Sequence, residues 1–262
     1  MSLLERTFAS LRDEHRAGLV TYLTAGDPSL AASGDILNAL DRAGADVLEV
    51  GVPFSDPLAD GPVIQRASER ALASGTTLAG VLDLVARERR TIKAPIVAFS
   101  YANPILRMGL ATFTRQAAAA GVDGVLVLDL PIDEAGLMQG ELSRAGIDMV
   151  FLLSPTSTTD RIRKAAALGR GFLYAISRLG VTGARDSVAR DAKDLVSRIR
   201  AETRLPVALG FGVSRPEHVS EIAQWADAAV VGSGLVDVIA RHGRSADLVA
   251  RVEEYVRWMK GR

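Results

Sequence analysis

Short, almost uninterrupted apolar runs alternate along this chain with longer stretches in which apolar residues return every three or four positions. The runs predict strands at Leu19–Leu23, Asp46–Val50, Ile96–Ser100, Gly124–Leu128, Met149–Leu153, Phe172–Ile176, Val207–Leu209 and Ala228–Val231. Runs with so little polar interruption mark parallel strands covered on both faces. The clearest segment between them is Leu78–Glu88, with Leu78, Val81, Leu82 and Val85 on one face. A second is Asp133–Arg144, with Ala135, Met138 and Leu142, and both read as helices. Ser157–Thr159 and Ser214–Arg215–Pro216 place capping hydroxyls and an early proline where further helices would begin.

About eight strand–helix units without a low-complexity linker predict a closed (β/α)8 TIM barrel, one domain over residues 1–262, with an N-terminal helix and extra helices. An open doubly wound sheet is the alternative, and it usually carries a Gly-x-Gly-x-x-Gly turn after its first strand. Here that turn reads Thr24–Ala25–Gly26–Asp27–Pro28. The widest gap between strands, Gly51 to Pro95, has room for a loop and an extra helix. In a barrel, added loop at the C-terminal ends of the strands is where function accumulates.

Charge changes the picture only by exclusion. Lys plus Arg and Asp plus Glu each total 31, so no basic excess points to nucleic acid. Cysteine is absent, which removes disulfides, thiolate chemistry and zinc–thiolate sites. Glu5, Arg6, Arg12, Asp13 and Glu14 interrupt the first segment, so it does not read as a secretory signal, and no window approaches the roughly 20 apolar residues of a membrane span. A soluble, cytoplasmic protein acting on a small ligand is the expectation.

Candidate chemistry gathers at the strand ends. Side chains alternate along Asp46–Phe54, so if Leu48 and Val50 face the helices, Glu49 faces the barrel interior near its mouth. A carboxyl group held away from water has a raised pKa, which suits a residue that both gives and takes protons. The other reading is an ion pair at the strand end, although no basic residue lies nearby in sequence. The following Pro53–Pro62 loop, stiffened by prolines, offers Asp56 and Asp60, each equally readable as an Asx turn or a helix cap. The last two turns, Leu209–Gly–Phe–Gly–Val–Ser214 and Val231–Gly–Ser–Gly234, are glycine-rich and run into helices, as a phosphate site of backbone N–H groups requires. The sixth turn, Ser177–Ser187, reads either as a mobile lid or as an ordinary surface loop. None of the four lysines lies at a strand's C-terminal end, and the three histidines are scattered. Acid–base chemistry on a phosphorylated molecule, without an imine or a histidine-bound metal, is what these residues favour.

Tyr22–Leu–Thr–Ala–Gly–Asp–Pro28, Leu48–Glu–Val–Gly–Val–Pro–Phe–Ser–Asp–Pro–Leu–Ala–Asp–Gly–Pro62, Gly180–Val–Thr–Gly183 and Gly210–Phe–Gly212 together resemble the tryptophan synthase alpha family, from about Arg6 to the last helix. The resemblance implies cleavage of indole-3-glycerol phosphate to indole and glyceraldehyde 3-phosphate, a retro-aldol reaction with the indole ring as electron sink. It implies that Glu49 is the general acid/base and that Asp60 binds the ring N–H. It further implies a phosphate cradle of Gly183, Gly212, Gly232 and Ser233, a tyrosine near the catalytic Glu at Tyr174, and a closing lid that includes Thr182.

Tyr22, Phe99, Leu128 and Tyr174 would wall an indole slot, with ordinary barrel packing the competing reading for Phe99 and Leu128. Many family members have Phe at the position of Tyr22 and a smaller aliphatic residue at that of Phe99. The implied partner is the tryptophan synthase beta subunit in an alpha2beta2 complex, contacting Pro53–Asp56 and Tyr101–Pro104. Pyridoxal phosphate is implied only in that partner, with no cofactor in this chain. On its own Asn103–Pro104 reads as a turn. A free-standing lyase, a degenerate barrel that activates a partner and a sugar-phosphate isomerase stay open as alternatives.

Overall fold

Each strand entry explains where its neighbour begins. The computed structural model describes residues 1–176, 185–210 and 212–261, with the side chains of 185–190 left out. Its strands are β1 (Gly18–Thr24), β2 (Val47–Gly51), β3 (Ile96–Ser100), β4 (Gly124–Val127), β5 (Asp148–Leu153), β6 (Leu173–Ile176), β7 (Val207–Gly210) and β8 (Ala228–Val231). An aspartate stands immediately before three of them and reaches back to the preceding strand. Asp46 accepts from the Leu19 N–H at 2.8 Å, Asp123 from Ile96 at 2.8 Å and Asp227 from Val207 at 2.8 Å. These carboxylates satisfy strand-end donors that the ladder leaves unpaired.

The eight strands pair in sequence order, all parallel, and β1 closes on β8 through Gly18↔Ala228 to Thr21↔Val231. The closed barrel therefore replaces the open-sheet alternative. Expected and observed strands agree to within one residue at either end.

The helices are α1 (Leu3–Asp13), α2 (Leu30–Arg42), α3 (Pro62–Ala73), α4 (Leu78–Glu88), α5 (Ala102–Met108), α6 (Leu110–Ala120), α7 (Gly136–Arg144), α8 (Thr159–Leu168), α9 (Arg185–Glu202), α10 (Pro216–Ile222), α11 (Ser233–His242) and α12 (Leu248–Met259). The gap after β2 holds a loop and two helices, α3 and α4, and α4 has the bounds its periodicity predicts. Three local readings change. The helix expected over Asp133–Arg144 is broken: a 3-10 turn spans Ile132–Glu134, and α7 starts at Gly136 after Ala135. α10 starts without a side-chain cap, Arg215 rather than Ser214 being its N-cap residue, whereas Thr158 does cap α8. Asn103–Pro104 lies inside the first turn of α5, where a missing proline N–H leaves no helical bond unmade.

Alternation separates an outer from an inner hydrophobic cluster, and a third, smaller one of Tyr22, Ala67 and Val236 lies apart from both. Leu48, Val50 and their counterparts pack outward under the helices. Inside the ring, Val20, Val47, Val97, Leu126, Val150, Phe172, Ala208 and Ala228 meet Leu4, Phe8 and Leu11 of α1, which closes the N-terminal end. α1 begins with a capping box: the Ser2 hydroxyl accepts from the Glu5 N–H at 3.1 Å, and the Glu5 carboxylate accepts from the Ser2 N–H at 2.8 Å. The interior is thus plugged at one end and open only at the C-terminal ends of the strands. No helix among the described residues is long and apolar enough to cross a membrane.

Phe8 is the largest side chain in the plug, with its ring centroid 5.3 Å from that of Phe172. Phe8→Ala should cost about 3–5 kcal/mol of stability, read as a shifted urea midpoint. An unchanged midpoint would show that α1 does not hold the barrel end closed.

Candidate functional site

At the open end the interior gives way to a cavity of about 360 Å³, within the range of small-molecule sites. Tyr22, Glu49, Phe99, Leu128 and Tyr174 line it from the strands, Asp60 from the loop after β2, and Gly212, Gly232 and Ser233 from the last two turns. Of the site residues singled out in the sequence, Asp56 does not line this cavity, Thr182 and Gly183 lie outside the described residues, and all the others line it. A wider groove of about 690 Å³ lies at the N-terminal end, along Arg12, Arg16 and Trp225, with no buried carboxyl group in its wall.

Glu49 sits at the centre of β2, in register with Tyr22 on β1 and Val97 on β3. It is fully buried, and neither carboxyl oxygen has a hydrogen-bond partner among the described residues. The ion-pair reading therefore finds no cation. Burial alone pushes its pKa up to about 8, so the group is mostly protonated at neutral pH.

The two aspartates of the next loop part company. Asp56 is exposed and accepts from its neighbour, the Ser55 hydroxyl, at 2.5 Å. Asp60 turns into the cavity and is not a helix cap, since Gly61 holds the N-cap position of α3 without a side-chain bond. Its partner is Tyr101, whose hydroxyl donates to Asp60 Oδ2 at 3.1 Å and accepts from the Ala59 N–H at 3.1 Å. With the acceptor side occupied by that amide, the phenolic proton is committed to Asp60. Burial raises the Asp60 pKa to about 6, and the Tyr101 hydrogen bond holds it from going higher. Gln65 on α3 fixes the loop, donating to the Asp60 carbonyl at 2.8 Å and the Pro57 carbonyl at 3.3 Å. α3 is itself anchored where Arg70 grips buried Asp27 in a two-point pair of 2.8 and 2.7 Å.

Two tyrosines flank Glu49 by the same device. Tyr22 leans over Gly51 of β2, where a Cβ would lie 2.2 Å from the phenol oxygen. Tyr174 leans over Gly210 of β7, where the distance would be 2.3 Å. In both cases the glycine lies two residues beyond the tyrosine's register partner, Glu49 or Ala208, on the adjacent strand. Tyr22 also shares a hydrogen bond of 3.2 Å with Thr24 and meets Phe99 edge-on at 5.1 Å. Burial first, then the nearby carboxylates, hold both phenols above their ordinary range and therefore neutral.

The slot has apolar walls that the sequence reading missed: Leu152 and Ile176 from β5 and β6, and Val63 and Ile64 from α3. Nothing distinguished Leu152 or Ile176 within their apolar runs. In the sequence Tyr101 belongs only to the docking segment that the resemblance implies, and no signal there ties it to Asp60.

Ser233, Gly234 and Leu235 form the first turn of α11, after Gly232 as its N-cap. The first bond of that turn runs from the Val236 N–H to the Gly232 carbonyl at 3.0 Å, so the three preceding amides have no acceptor within the helix. Gly212 takes φ +71°, in the left-handed region that favours glycine. No cluster of three or more acidic or histidine side chains suited to a metal occurs among the described residues.

The family model for "Tryptophan synthase alpha chain" matches residues 8–261. The tryptophan synthase alpha chain of Solibacter usitatus is 46% identical over 260 residues, covering 99% of this chain and 97% of that one. The crystal structure of tryptophan synthase subunit alpha from Legionella pneumophila superposes with a TM-score of 0.92 at 33% identity, covering 100% of this chain and 98% of that one. A chain of the tryptophan synthase complex from Pyrococcus furiosus gives 0.86 at 38% identity, covering 94% and 99%. With a family match spanning nearly its whole length, the chain belongs to the tryptophan synthase alpha family.

Proposed function

We propose that this chain splits indole-3-glycerol phosphate into indole and glyceraldehyde 3-phosphate, with Glu49 moving the protons and Asp60 holding the ring nitrogen. The observation that carries the assignment of roles is the buried, partnerless carboxyl group of Glu49, held near 8. Protonated at neutral pH, it delivers a proton to the ring carbon that bears the glycerol chain. The ring becomes a cationic indolenine, and the ionised Asp60 carboxylate faces the charge at its N–H. Glu49, now a carboxylate, takes the proton of the adjacent side-chain hydroxyl. The carbon–carbon bond breaks, its electron pair returns to the ring as indole, and the hydroxyl carbon becomes the aldehyde. Glu49 finishes as it began. Two acids with different environments thus fill different roles in one cavity.

Tyr22, Phe99, Leu128 and Tyr174 hold the flat ring, and the free amides of the first turn of α11 with Gly212, Gly232 and Ser233 take the phosphate. Thr182 and Gly183 complete that reading by resemblance. Tryptophan synthase alpha chains work with a beta subunit, and we place its contact at Pro53–Asp56 and Tyr101–Pro104, in an alpha2beta2 complex. The Phe54 and Tyr101 rings, 5.0 Å apart, join these two segments, and Leu58 and Leu106 beside them are 94% and 62% exposed. Apolar side chains left in water at one rim suit a partner surface. Pyridoxal phosphate belongs to that partner, this chain needs no cofactor of its own, and the complex works in the cytoplasm.

Purified chain should release indole from indole-3-glycerol phosphate, faster with a beta subunit present; no release under either condition would remove the assignment. Glu49→Gln should fold and lose at least about 10²-fold in rate, and wild-type turnover in that variant would take Glu49 out of the mechanism. The pH profile of kcat/KM should fall below about 6, where Asp60 gains a proton, and above about 8, where Glu49 loses one. Tyr101→Phe removes the bond that lowers the Asp60 pKa, so its acidic limb should move to higher pH; an unmoved limb would assign that limb to another group. Gly212→Val should weaken glycerol 3-phosphate binding and leave indole binding alone, and equal losses for both ligands would argue against a phosphate cradle at that turn.

A further inference from the structure

The C-terminal helix brings to the phosphate end of the site a polar group that the reaction does not use. Tyr255 on α12 has a hydroxyl shut off from solvent and without a hydrogen-bond partner among the described residues. Burial raises its pKa to about 12, so it stays a neutral phenol. A dry, unpaired hydroxyl is a standing cost, and phenylalanine would avoid it at this position.

The neighbour that gives this hydroxyl a role is Gly234, in the first turn of α11. A Cβ at 234 would lie 2.4 Å from the Tyr255 hydroxyl oxygen, 3.5 Å from the ring carbon that bears it, and 3.6 Å from the Val213 carbonyl oxygen. Gly234 is helical and not in the left-handed region, so its backbone does not require glycine, and in a helix glycine is a poor choice. Space requires it instead. Only the hydroxyl oxygen intrudes, because the ring carbon behind it stands at ordinary contact distance. Three pieces therefore meet at this notch: the turn that carries Gly232 and Ser233, the residue that follows Gly212, and the C-terminal helix.

We propose that Tyr255 is a positioning residue for the phosphate cradle, its hydroxyl seated in the notch at Gly234 and setting the spacing between the first turn of α11 and the loop after β7. The inference rests on the phosphate reading given above. Amides from both turns converge on one ligand only if that spacing holds, and neither turn fixes it alone.

The test is a double-mutant cycle read by calorimetric titration with glycerol 3-phosphate and, separately, with indole. Tyr255→Phe deletes the oxygen and should weaken glycerol 3-phosphate binding about threefold, and Gly234→Ala, which forces a methyl group against that oxygen, should weaken it about tenfold, an overpacking of ordinary size. The two together should return to the level of Tyr255→Phe, since the methyl group then fits, with indole affinity constant throughout. Wild-type affinity in Tyr255→Phe and Gly234→Ala, or a pair as weak as Gly234→Ala alone, would overturn the proposal, as would parallel losses for indole. Were Gly234→Ala too unstable to titrate, a folded pair with the expected affinity would support the proposal, and an unfolded pair would overturn it. Wild-type protein that does not bind glycerol 3-phosphate would instead refute the phosphate reading itself.

Discussion

A parallel barrel sends every second side chain of its eight strands toward one axis, and at Glu49 that alternation puts a carboxyl group where water does not reach. Around it stand Tyr22, Val97 and Tyr174, none of which offers a positive charge. The ionised form has lost its hydration and gained nothing in return, so the proton stays on. A single basic side chain pointing inward would have made an ion pair and an ordinary low-pKa carboxylate. The apolar plug of α1 below and the slot above depend on the same constraint, because water entering from either end would restore the charge.

The tyrosines show how the ring makes room for a ligand at its open end and still keeps Glu49 from solvent. Each crosses above a glycine of the neighbouring strand, so two large side chains fit at a level where small strand residues would otherwise leave a hole. Asp60 stands apart from this enclosure. It arrives on a loop, keeps partial access to water and has a committed donor in Tyr101, and it therefore remains ionised at a pH where Glu49 does not.

Much of this was legible in the sequence because period-2 and period-3.6 patterns are properties of the chain itself. The eight strands and the inward face of Glu49 follow from apolar runs and alternation, and the bounds of α4 from the helical period. Asp60 shows where that reasoning stops: spacing left it balanced between a turn, a cap and a site, and what decides is a hydrogen bond to a residue 41 positions away. Leu152 and Ile176 were invisible for the opposite reason, lying in uniformly apolar runs where a slot wall and a core position look alike. The break at Ala135 and the uncapped start of α10 are shifts of a residue or two at helix ends, which periodicity does not resolve. The roles of Glu49 and Asp60 came from the family resemblance, and the geometry supports them with burial and partners that no motif contains.

The seam between β1 and β8 joins Gly18 to Ala228, so the ring cannot close until nearly the whole chain is available. Before closure the inward face of β2 is open to solvent, and Glu49 ionises as any carboxylate does, near 4.5. Closure expels that water and lifts the group to about 8, so between those two values the folded chain holds a proton that the unfolded chain has released. Stability linked to this group is highest below 4.5, where it is neutral in both states, and falls as pH rises toward 8. At neutral pH folding is therefore also a protonation: the chain takes up its working proton as the barrel shuts.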